Sequence, residues 1–200
     1  MDGMKHIPGF LGEAAQKDLV AKLRGAVADA PLFQPVMPRT GRPLSVKMTN
    51  FGTLGWVSDR SGYRYQPLHP VTGQPWLEMP EIVRSAWEKL ADYPHAAECC
   101  LLNHYREGAK MGLHRDEDEE IFDAPVVSLS LGDTAVFKIG GLSRKDPTRS
   151  FKLHSGDALV LAGKARMAYH GVNRIIPGSS TLLIGGGRIN LTIRRVTAPK

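Results

Sequence analysis

Three residues in this sequence have the types and the spacing of a metal site. The motif His114-Arg115-Asp116 is followed by His170, 56 residues after the first histidine. In an extended strand, residues i and i+2 point to the same side, so the imidazole of His114 and the carboxylate of Asp116 can face one ion. His170 can join them from a later strand that returns beside the first. Two imidazoles and one carboxylate leave the other side of an iron(II) ion open for an organic ligand and for dioxygen.

Other interpretations of these three residues are open at this point. The pattern H-x-D arises by chance in many proteins, and a third histidine is easy to find among seven. A zinc hydrolase site and a metal-binding cupin without oxygenase activity also use such residues. Residues able to bind a cosubstrate must distinguish these possibilities.

The last predicted strand alternates strictly between polar and apolar residues. Residues 188–194 read RINLTIR, so the polar residues share one face of an extended strand and the apolar residues share the other. The polar face can line a cavity for 2-oxoglutarate, because a buried dianion needs positive charge at both ends. Iron can bind one end of the dianion. Arginine, whose planar guanidinium makes bidentate bonds to carboxylates, can bind the other. A solvent-facing edge strand would show the same alternation.

An earlier predicted strand repeats this arrangement. In Asn103-His104-Tyr105, the asparagine and the tyrosine point to the same side and can hydrogen-bond the same ligand. An ordinary half-exposed strand is the alternative interpretation.

The elements that must position these residues are short strands. From residue 99 onward, the runs CCLLNHY, APVVSLSL, TAVFKIGG, SFKLHSG, ALVLAG and GRINLTIRR are separated by Gly, Asp, Pro or Ser. This pattern indicates an antiparallel sandwich or barrel. Residues 11–30 and 80–92 carry apolar residues at helical spacing and basic residues on the other face, so we expect both helices to cover the sheet.

The predicted fold class is α+β and mainly β, with a double-stranded β-helix (jelly-roll) core, supporting N-terminal helices and a substrate-binding lid. We expect residues 1–200 to form a single domain. Within it, residues 1–98 are expected to form the helical scaffold and the lid, and residues 99–196 the catalytic jelly-roll. The loop-rich stretch 31–79 contains several prolines and aromatic residues, as functional lids often do.

Charge and cysteine content narrow the partner and the environment. Twenty-six Lys and Arg against twenty Asp and Glu give a formal net charge of +6. This excess favours an anionic partner such as nucleic acid, although a charge that only aids solubility fits equally well. Cys99 and Cys100 are adjacent and seldom bridge in such a position, which favours a reducing compartment. Without a signal peptide or an apolar run of about 18 residues, we expect a cytoplasmic monomer that does not span a membrane.

Taken together, these segments resemble the AlkB family of iron(II)- and 2-oxoglutarate-dependent nucleic-acid dealkylases, in particular its bacterial members. The resemblance covers about residues 35–195 and rests on MTNFGTLGW (48–56), SGYRYQP (61–67), CLLNHYREGAKMGLHRDEDE (100–119), APVVSLSLG (124–132), FKIGGLSRKDP (137–147), YHGV (169–172) and RINLTIR (188–194). H-x-D with a distant histidine occurs in many oxygenases, whereas R-x-N-x-T-x-R after it and N-x-Y before it are much more specific. The triplet Gly185-Gly186-Gly187 departs from the family pattern and leaves the entry into the last strand undefined.

The resemblance implies Fe(2+), 2-oxoglutarate as a cosubstrate, and O2. It implies that the metal ligands, which are also the catalytic residues, are His114, Asp116 and His170. Contacts to 2-oxoglutarate are implied for Asn103, Tyr105, Arg188, Asn190 and Arg194. An alkylated base is implied between Trp56 and His114, with substrate contacts from Trp56, Tyr63, Arg64, Tyr65, Asp118 and Arg144.

The implied reaction is repair of alkylated DNA, and also of RNA, by oxidative demethylation of bases such as 1-methyladenine and 3-methylcytosine. It releases formaldehyde, succinate and CO2. The target atom lies inside a base stack, so the base must come from a single strand or be flipped. Asp118 is implied to favour cationic bases, and phosphates are expected to meet the basic residues Arg39, Arg42, Lys47, Arg144, Lys145 and Arg149.

Several alternatives to this assignment are open. The main one is the same oxygenase chemistry on a protein side chain or a small metabolite. Taken without the resemblance, Trp56 can equally be a core residue, and Asp118 can be one more member of the solvated acidic run 116–120.

Overall fold

Two antiparallel sheets pack against each other and form the core of the molecule, of which the computed structural model describes residues 2–199. From edge to edge, the major sheet consists of β1 (Met4–Ile7), β10 (Ala158–Leu161), β7 (Val126–Gly132), β12 (Arg188–Arg194), β5 (Cys99–Tyr105) and β2 (Lys47–Gly52). The minor sheet consists of β6 (Met111–His114), β11 (His170–Ile176), β8 (Thr134–Ile139) and β9 (Arg149–Leu153). Except for β8 and β9, neighbouring strands are not consecutive in the chain. The predicted double-stranded β-helix is confirmed.

The major sheet has two different faces because its strands alternate in residue type. On one face, Leu191 and Ile193 of β12 belong to an apolar cluster that includes helices α1 (Glu13–Asp29) and α2 (Glu81–Leu90). Full burial of a side chain such as leucine stabilises the fold by about 1.5–3 kcal/mol. The other face meets the minor sheet in a second apolar cluster and, where its residues are polar, borders a cavity.

The helices cover the major sheet as their apolar spacing predicts. Leu19 and Leu23 of α1 lie four residues apart, on the same side of the helix, and are fully buried. The observed bounds of α1 and α2 fall within the predicted ranges 11–30 and 80–92, and both predictions are confirmed. Of the helices in the described residues, none combines the length and the apolar character needed to cross a membrane.

The first half of the chain contributes to both the core and the lid. β1 and β2 come from residues 1–98 and form the two edges of the major sheet. β3 (Gly55–Asp59) and β4 (Gly62–Gln66) form a separate hairpin, which we call the lid hairpin. Asn50 of β2 holds this hairpin, since its side-chain amide donates to the carbonyl of Trp56 and its side-chain oxygen accepts from the Trp56 amide, both at 3.0 Å.

The glycine triplet before β12 is required by the path of the chain. Gly185, Gly186 and Gly187 have φ angles between 73° and 89°, which other residues adopt only with strain. A Cβ on Gly187 would lie 2.7 Å from the carbonyl oxygen of Tyr105. The carboxylate of Asp133 accepts hydrogen bonds from the amide of Gly187 at 2.9 Å and from that of Ser180 at 3.1 Å. The triplet therefore leads tightly into β12.

Candidate active site

The two histidines of the predicted metal site face each other across a strand pair. His114 ends β6 and His170 begins β11, and the two are cross-strand partners with ring centroids 4.6 Å apart. Asp116 lies just beyond the end of β6, in a loop and not in the extended strand we expected. Its carboxylate oxygens are 3.8 Å from Nε2 of His114 and 4.0 Å from Nε2 of His170. The structure thus brings the three predicted ligands together.

Backbone carbonyl groups orient both imidazoles. Nδ1 of His114 lies 2.9 Å from the carbonyl oxygen of Gly112, and Nδ1 of His170 lies 2.9 Å from that of Ala168. A carbonyl oxygen only accepts, so each Nδ1 carries the proton and each Nε2 has a free lone pair for a metal. Burial lowers the pKa of His170 to about 4, so this imidazole is neutral at neutral pH. The donor set therefore fits a divalent ion.

The five residues predicted to bind 2-oxoglutarate line one cavity next to these histidines. The cavity has a volume of about 420 Å³ and includes side chains from both sheets. β12 is bonded to β5 on one side and to β7 on the other, which excludes the edge-strand alternative for residues 188–194. The five residues occupy one face of β5 and β12: Asn103, Tyr105, Arg188, Asn190 and Arg194.

Two serines extend this polar face and were missed by the sequence analysis. Ser128 and Ser130 lie on β7, opposite Thr192 and Asn190. The Ser128 hydroxyl donates to Oδ1 of Asn190 at 2.8 Å. The strict alternation of serine with apolar residues in APVVSLSLG is a signal that points to them.

Arg188 is a buried cation that lacks a carboxylate partner in residues 2–199. Its guanidinium donates to the carbonyl groups of Asp133 and Leu153 at 3.1 Å and to the Ser130 hydroxyl at 2.6 Å. Its Nε has no hydrogen-bond partner in the described structure. Burial lowers the pKa of Arg188 to about 10. A carboxylate bound beside Tyr105, the cross-strand partner of Arg188, would offset the cost of this buried charge.

Arg194 connects the metal site to a buried carboxylate that the sequence analysis also missed. Nη2 of Arg194 lies 2.9 Å from Oδ2 of Asp116, and its Nε lies 3.2 Å from Oε1 of Glu119. Burial raises the pKa of Asp116, but the nearby basic groups, Arg194 first and then the two histidines and Arg166, together outweigh burial and hold this pKa well below its usual range. Glu119 also accepts hydrogen bonds from Arg166 at 3.1 Å and from the Tyr65 hydroxyl at 2.5 Å. Two arginines thus balance two carboxylates.

Aromatic and charged residues form the outer wall of the cavity. Trp56 and Tyr63 of the lid hairpin stack with centroids 5.6 Å apart and planes inclined by 18°. Nε1 of Trp56 donates to Oδ2 of Asp118 at 2.8 Å. Arg144 lies over the ring of Tyr169, 6.0 Å from its centroid, and all of these residues line the cavity together with Tyr65. Trp56 therefore lines the cavity, and it also packs, partly buried, against the second apolar cluster.

Arg64 does not reach the cavity. Tyr63 and Tyr65 project from one face of the lid hairpin, so Arg64 between them projects from the other. Its guanidinium binds the carboxylate of Asp59 at 2.7 and 3.0 Å and the side chain of Gln66 at 3.0 Å. Arg64 therefore lies outside the cavity lining, and its contact with substrate stays a prediction.

A metal site and a diacid cavity of this kind, between two facing sheets, define the class of iron(II)- and 2-oxoglutarate-dependent oxygenases. Residues 3–194 match the family model of the 2OG-Fe(II) oxygenase superfamily. The chain is 54% identical over 188 residues to the alpha-ketoglutarate-dependent dioxygenase AlkB homolog of Caulobacter vibrioides, covering 94% of this chain and 85% of that protein. This chain belongs to the AlkB family of dioxygenases.

Two further likenesses agree with this assignment. The tRNA demethylase abh1 of Schizosaccharomyces pombe is 31% identical over 172 residues, which are 78% of this chain and 57% of that protein. The solved structure of OsALKBH1 matches with a TM-score of 0.81 and 29% identity, covering 96% of both chains. The predicted resemblance is confirmed, and so are the predicted requirements for iron(II), 2-oxoglutarate and O2.

Proposed function

We propose that this dioxygenase repairs alkylated nucleic acids by oxidative demethylation of bases such as 1-methyladenine and 3-methylcytosine. The observation that carries the proposal is the Trp56 indole, bonded to Asp118, in the same cavity as the two histidines. An aromatic plane next to a carboxylate suits a flat, positively charged base. The relative from Schizosaccharomyces pombe is named as a tRNA demethylase, which supports a nucleic-acid substrate. Both DNA and RNA are included in the proposal.

In this proposal the predicted site residues divide into two groups. His114, Asp116 and His170 would hold iron(II), since the Nδ1 bonds to backbone carbonyls leave both Nε2 atoms available as ligands. 2-Oxoglutarate has two carboxylates. The one farther from Asp116 is bound by Arg188, Tyr105 and Asn103. The one nearer to Asp116 is bound by Asn190 and Arg194. When bound, iron(II) and 2-oxoglutarate supply the oxidising power, so that O2 is consumed, succinate and CO2 form, and the N-alkyl carbon leaves as formaldehyde.

The protein's own part in substrate binding is to stack and orient the base. The base enters from a single strand or is flipped from a duplex, and lies between Trp56 and His114. Tyr63 stacks against the Trp56 ring and helps to fix its orientation. Arg144 is exposed at the rim, where it suits a phosphate next to the bound base.

Replacing Trp56 with alanine is expected to weaken binding of a methylated oligonucleotide by about 1–3 kcal/mol, the contribution of one stacked base. This corresponds to a rise in KM of roughly 5- to 150-fold. Trp56→Phe keeps an aromatic face and loses only the donor to Asp118, so its loss should be smaller. Equal losses in the two variants, measured as KM for the oligonucleotide, would contradict stacking by Trp56.

Asp118→Asn is expected to reduce kcat/KM for cationic 1-methyladenine about fivefold, because one partly exposed charge contributes about 1 kcal/mol. The amide oxygen can still accept the hydrogen bond from Trp56, so the wall is preserved. Turnover of a neutral base such as 1-methylguanine should change little. A parallel loss on both bases would show that the charge of Asp118 does not select the substrate.

The proposal is tested by formaldehyde and succinate release from matched DNA and RNA oligomers that contain 1-methyladenine, with and without iron. Formaldehyde in equal amount to succinate, dependent on iron and on the methyl group, is expected. If the oligomers did not increase succinate formation but a peptide or a metabolite did, the alternative would be favoured, in which the substrate is a protein side chain or a small metabolite.

The proposal also includes a cytoplasmic monomer in which residues 1–200 act as one catalytic domain. Cys99 and Cys100 are free and buried, as suits a reducing compartment. β1 and β2 complete the sheet that contains β12, which supports a single folding unit for residues 1–98 and 99–196. Light scattering of the purified protein tests its mass in solution.

A further inference from the structure

The minor sheet carries an exposed basic surface outside the cavity. Lys138 of β8, Lys152 of β9 and Arg174 of β11 project from the face of this sheet that points away from the major sheet; we call these three residues the basic face. Val136 is the cross-strand partner of both Lys152 and Arg174. Lys138 follows Val136 by two residues and shares its side, whereas Phe137 between them is buried in the core.

The three cations are close enough to act together. Adjacent strands lie about 4.8 Å apart, so Lys152 and Arg174, on either side of β8, are about 10 Å apart at the backbone. Lys138 lies about 7 Å from that row along β8. In residues 2–199 none of the three takes part in an ion pair, so their charges face solvent without compensation.

The surroundings of the basic face are also strongly positive. Segments 134–153 and 170–176 contain six basic residues and one acidic residue, Asp146. The carboxylate of Asp146 is used locally, since it accepts a hydrogen bond from the amide of Ser143 at 2.9 Å. These 27 residues therefore hold a formal charge of +5, close to the +6 of the whole chain. The excess charge of the protein is concentrated on one part of its surface.

The basic face is continuous with the rim of the active site. Lys138 is the cross-strand partner of Gly171, the residue that follows His170. The chain that leaves β8 brings Arg144 to the rim of the cavity. A strand that places one base in the cavity can therefore continue past Arg144 onto the basic face.

We propose that the basic face binds the phosphate backbone of the same nucleic-acid strand, several nucleotides from the base in the active site. The inference rests on the proposed function, because it takes that substrate as the ligand. Phosphates neutralised by Lys and Arg release bound counterions, which gives affinity that depends on salt and not on sequence. Because the basic face continues from the rim of the cavity, a nucleic-acid strand with one base in the cavity would extend onto it. An acidic protein would not be guided there by the active site.

The test uses a triple variant that carries Lys138→Gln, Lys152→Gln and Arg174→Gln. Its ligand is a 15-nucleotide single strand without methylated bases, carrying a fluorescent label. Each lost phosphate contact lowers the slope of log affinity against log salt by about 0.7, so the slope should fall by about 2. Affinity near physiological salt should fall about tenfold. Fluorescence anisotropy at several salt concentrations measures both quantities.

A matched control removes the same charge from the opposite side of the molecule. Lys17→Gln, Lys22→Gln and Lys89→Gln change exposed residues of α1 and α2, which cover the far face of the major sheet. This variant should keep the wild-type slope. Equal losses in the two triple variants, or a wild-type slope in the first, would overturn the proposal. Binding of an acidic peptide, but not of DNA, that depends on the three residues would also overturn it.

Turnover separates this inference from the proposed function. On a methylated trinucleotide, whose two phosphates the proposal assigns to the cavity and to its rim at Arg144, the first triple variant should match the wild-type enzyme. On a methylated 15-mer its KM should rise about tenfold. A wild-type enzyme that releases no formaldehyde from any methylated oligomer would contradict the proposed function, whereas the anisotropy measurement needs no turnover. Equal KM values for the 15-mer in variant and wild type would refute the role of the basic face.

Discussion

His114→Ala is expected to reduce formaldehyde release from a 1-methyladenine oligomer by more than about a hundredfold. Removing a residue that hydrogen-bonds a metal ligand typically lowers metal affinity or activity 10- to 100-fold, and removing the ligand itself should lower them further. His114 is partly exposed, with 41% of its side chain accessible, so the fold should survive the change. Calorimetric titration with Mn(2+) in place of iron, without oxygen, should show weakened metal binding apart from any loss of turnover.

His95→Ala is the matched control for this experiment. His95 is exposed, and the hydrogen bond it accepts from Trp87 uses its backbone carbonyl, which the substitution retains. This variant should keep wild-type metal binding and activity. If His114→Ala also kept them, the assignment of the metal site to β6 and β11 would be incorrect.

Arg188→Lys is expected to raise the 2-oxoglutarate concentration needed for half-maximal activity by about 10- to 150-fold. Lysine preserves the charge but cannot make the bidentate bonds of the guanidinium to a carboxylate. Hydrogen bonds to charged groups contribute about 1.5–3 kcal/mol, which gives this range. KM for the oligonucleotide should stay within about twofold, since Arg188 is fully buried and Trp56, the residue proposed to stack on the base, lies in the outer wall of the cavity.

Arg195→Lys makes the same substitution next to β12 without touching the cavity. Arg195 contacts Glu98 and Thr197 on the outside of the sheet. This variant should keep both KM values, although it can lose some thermal stability. An Arg188→Lys enzyme with an unchanged 2-oxoglutarate requirement and a raised oligonucleotide KM would show that the two ends of the site have been assigned in reverse.

The polar face of β12 was predictable because it depends on a local property of the chain. Alternation with period two assigns Arg188, Asn190 and Arg194 to one side whatever the strand pairs with. The neighbours of β12 were not predictable in this way. Its position between β5 and β7 depends on pairing between segments about 60 to 90 residues apart in sequence, and only that central position makes its polar face a cavity wall.

Glu119 shows where sequence reasoning lacked information. It is one of five acidic residues in the run 116–120, and nothing local marks it as buried. Its burial comes from Arg166 and Tyr65, which are 47 and 54 residues away in sequence. Arg64 shows the opposite case. The alternation of GYRYQ already places it on the opposite side from Tyr63 and Tyr65, whereas its substrate contact, which stays a prediction, was inferred from the motif as a whole.

The opposed positions of His114 and His170 on β6 and β11 have a consequence for how the enzyme acquires its metal. The separation of the two imidazoles is set by the backbone ladder and by carbonyl acceptors two residues away, none of which belongs to the lid hairpin. The site is preorganised when the chain folds, so little ordering entropy is lost when an ion arrives. Tyr65 is the one residue of the lid hairpin that these contacts link to the third ligand, Asp116, through Glu119 and Arg194. The rest of the lid hairpin can therefore vary in sequence while both imidazoles stay in place.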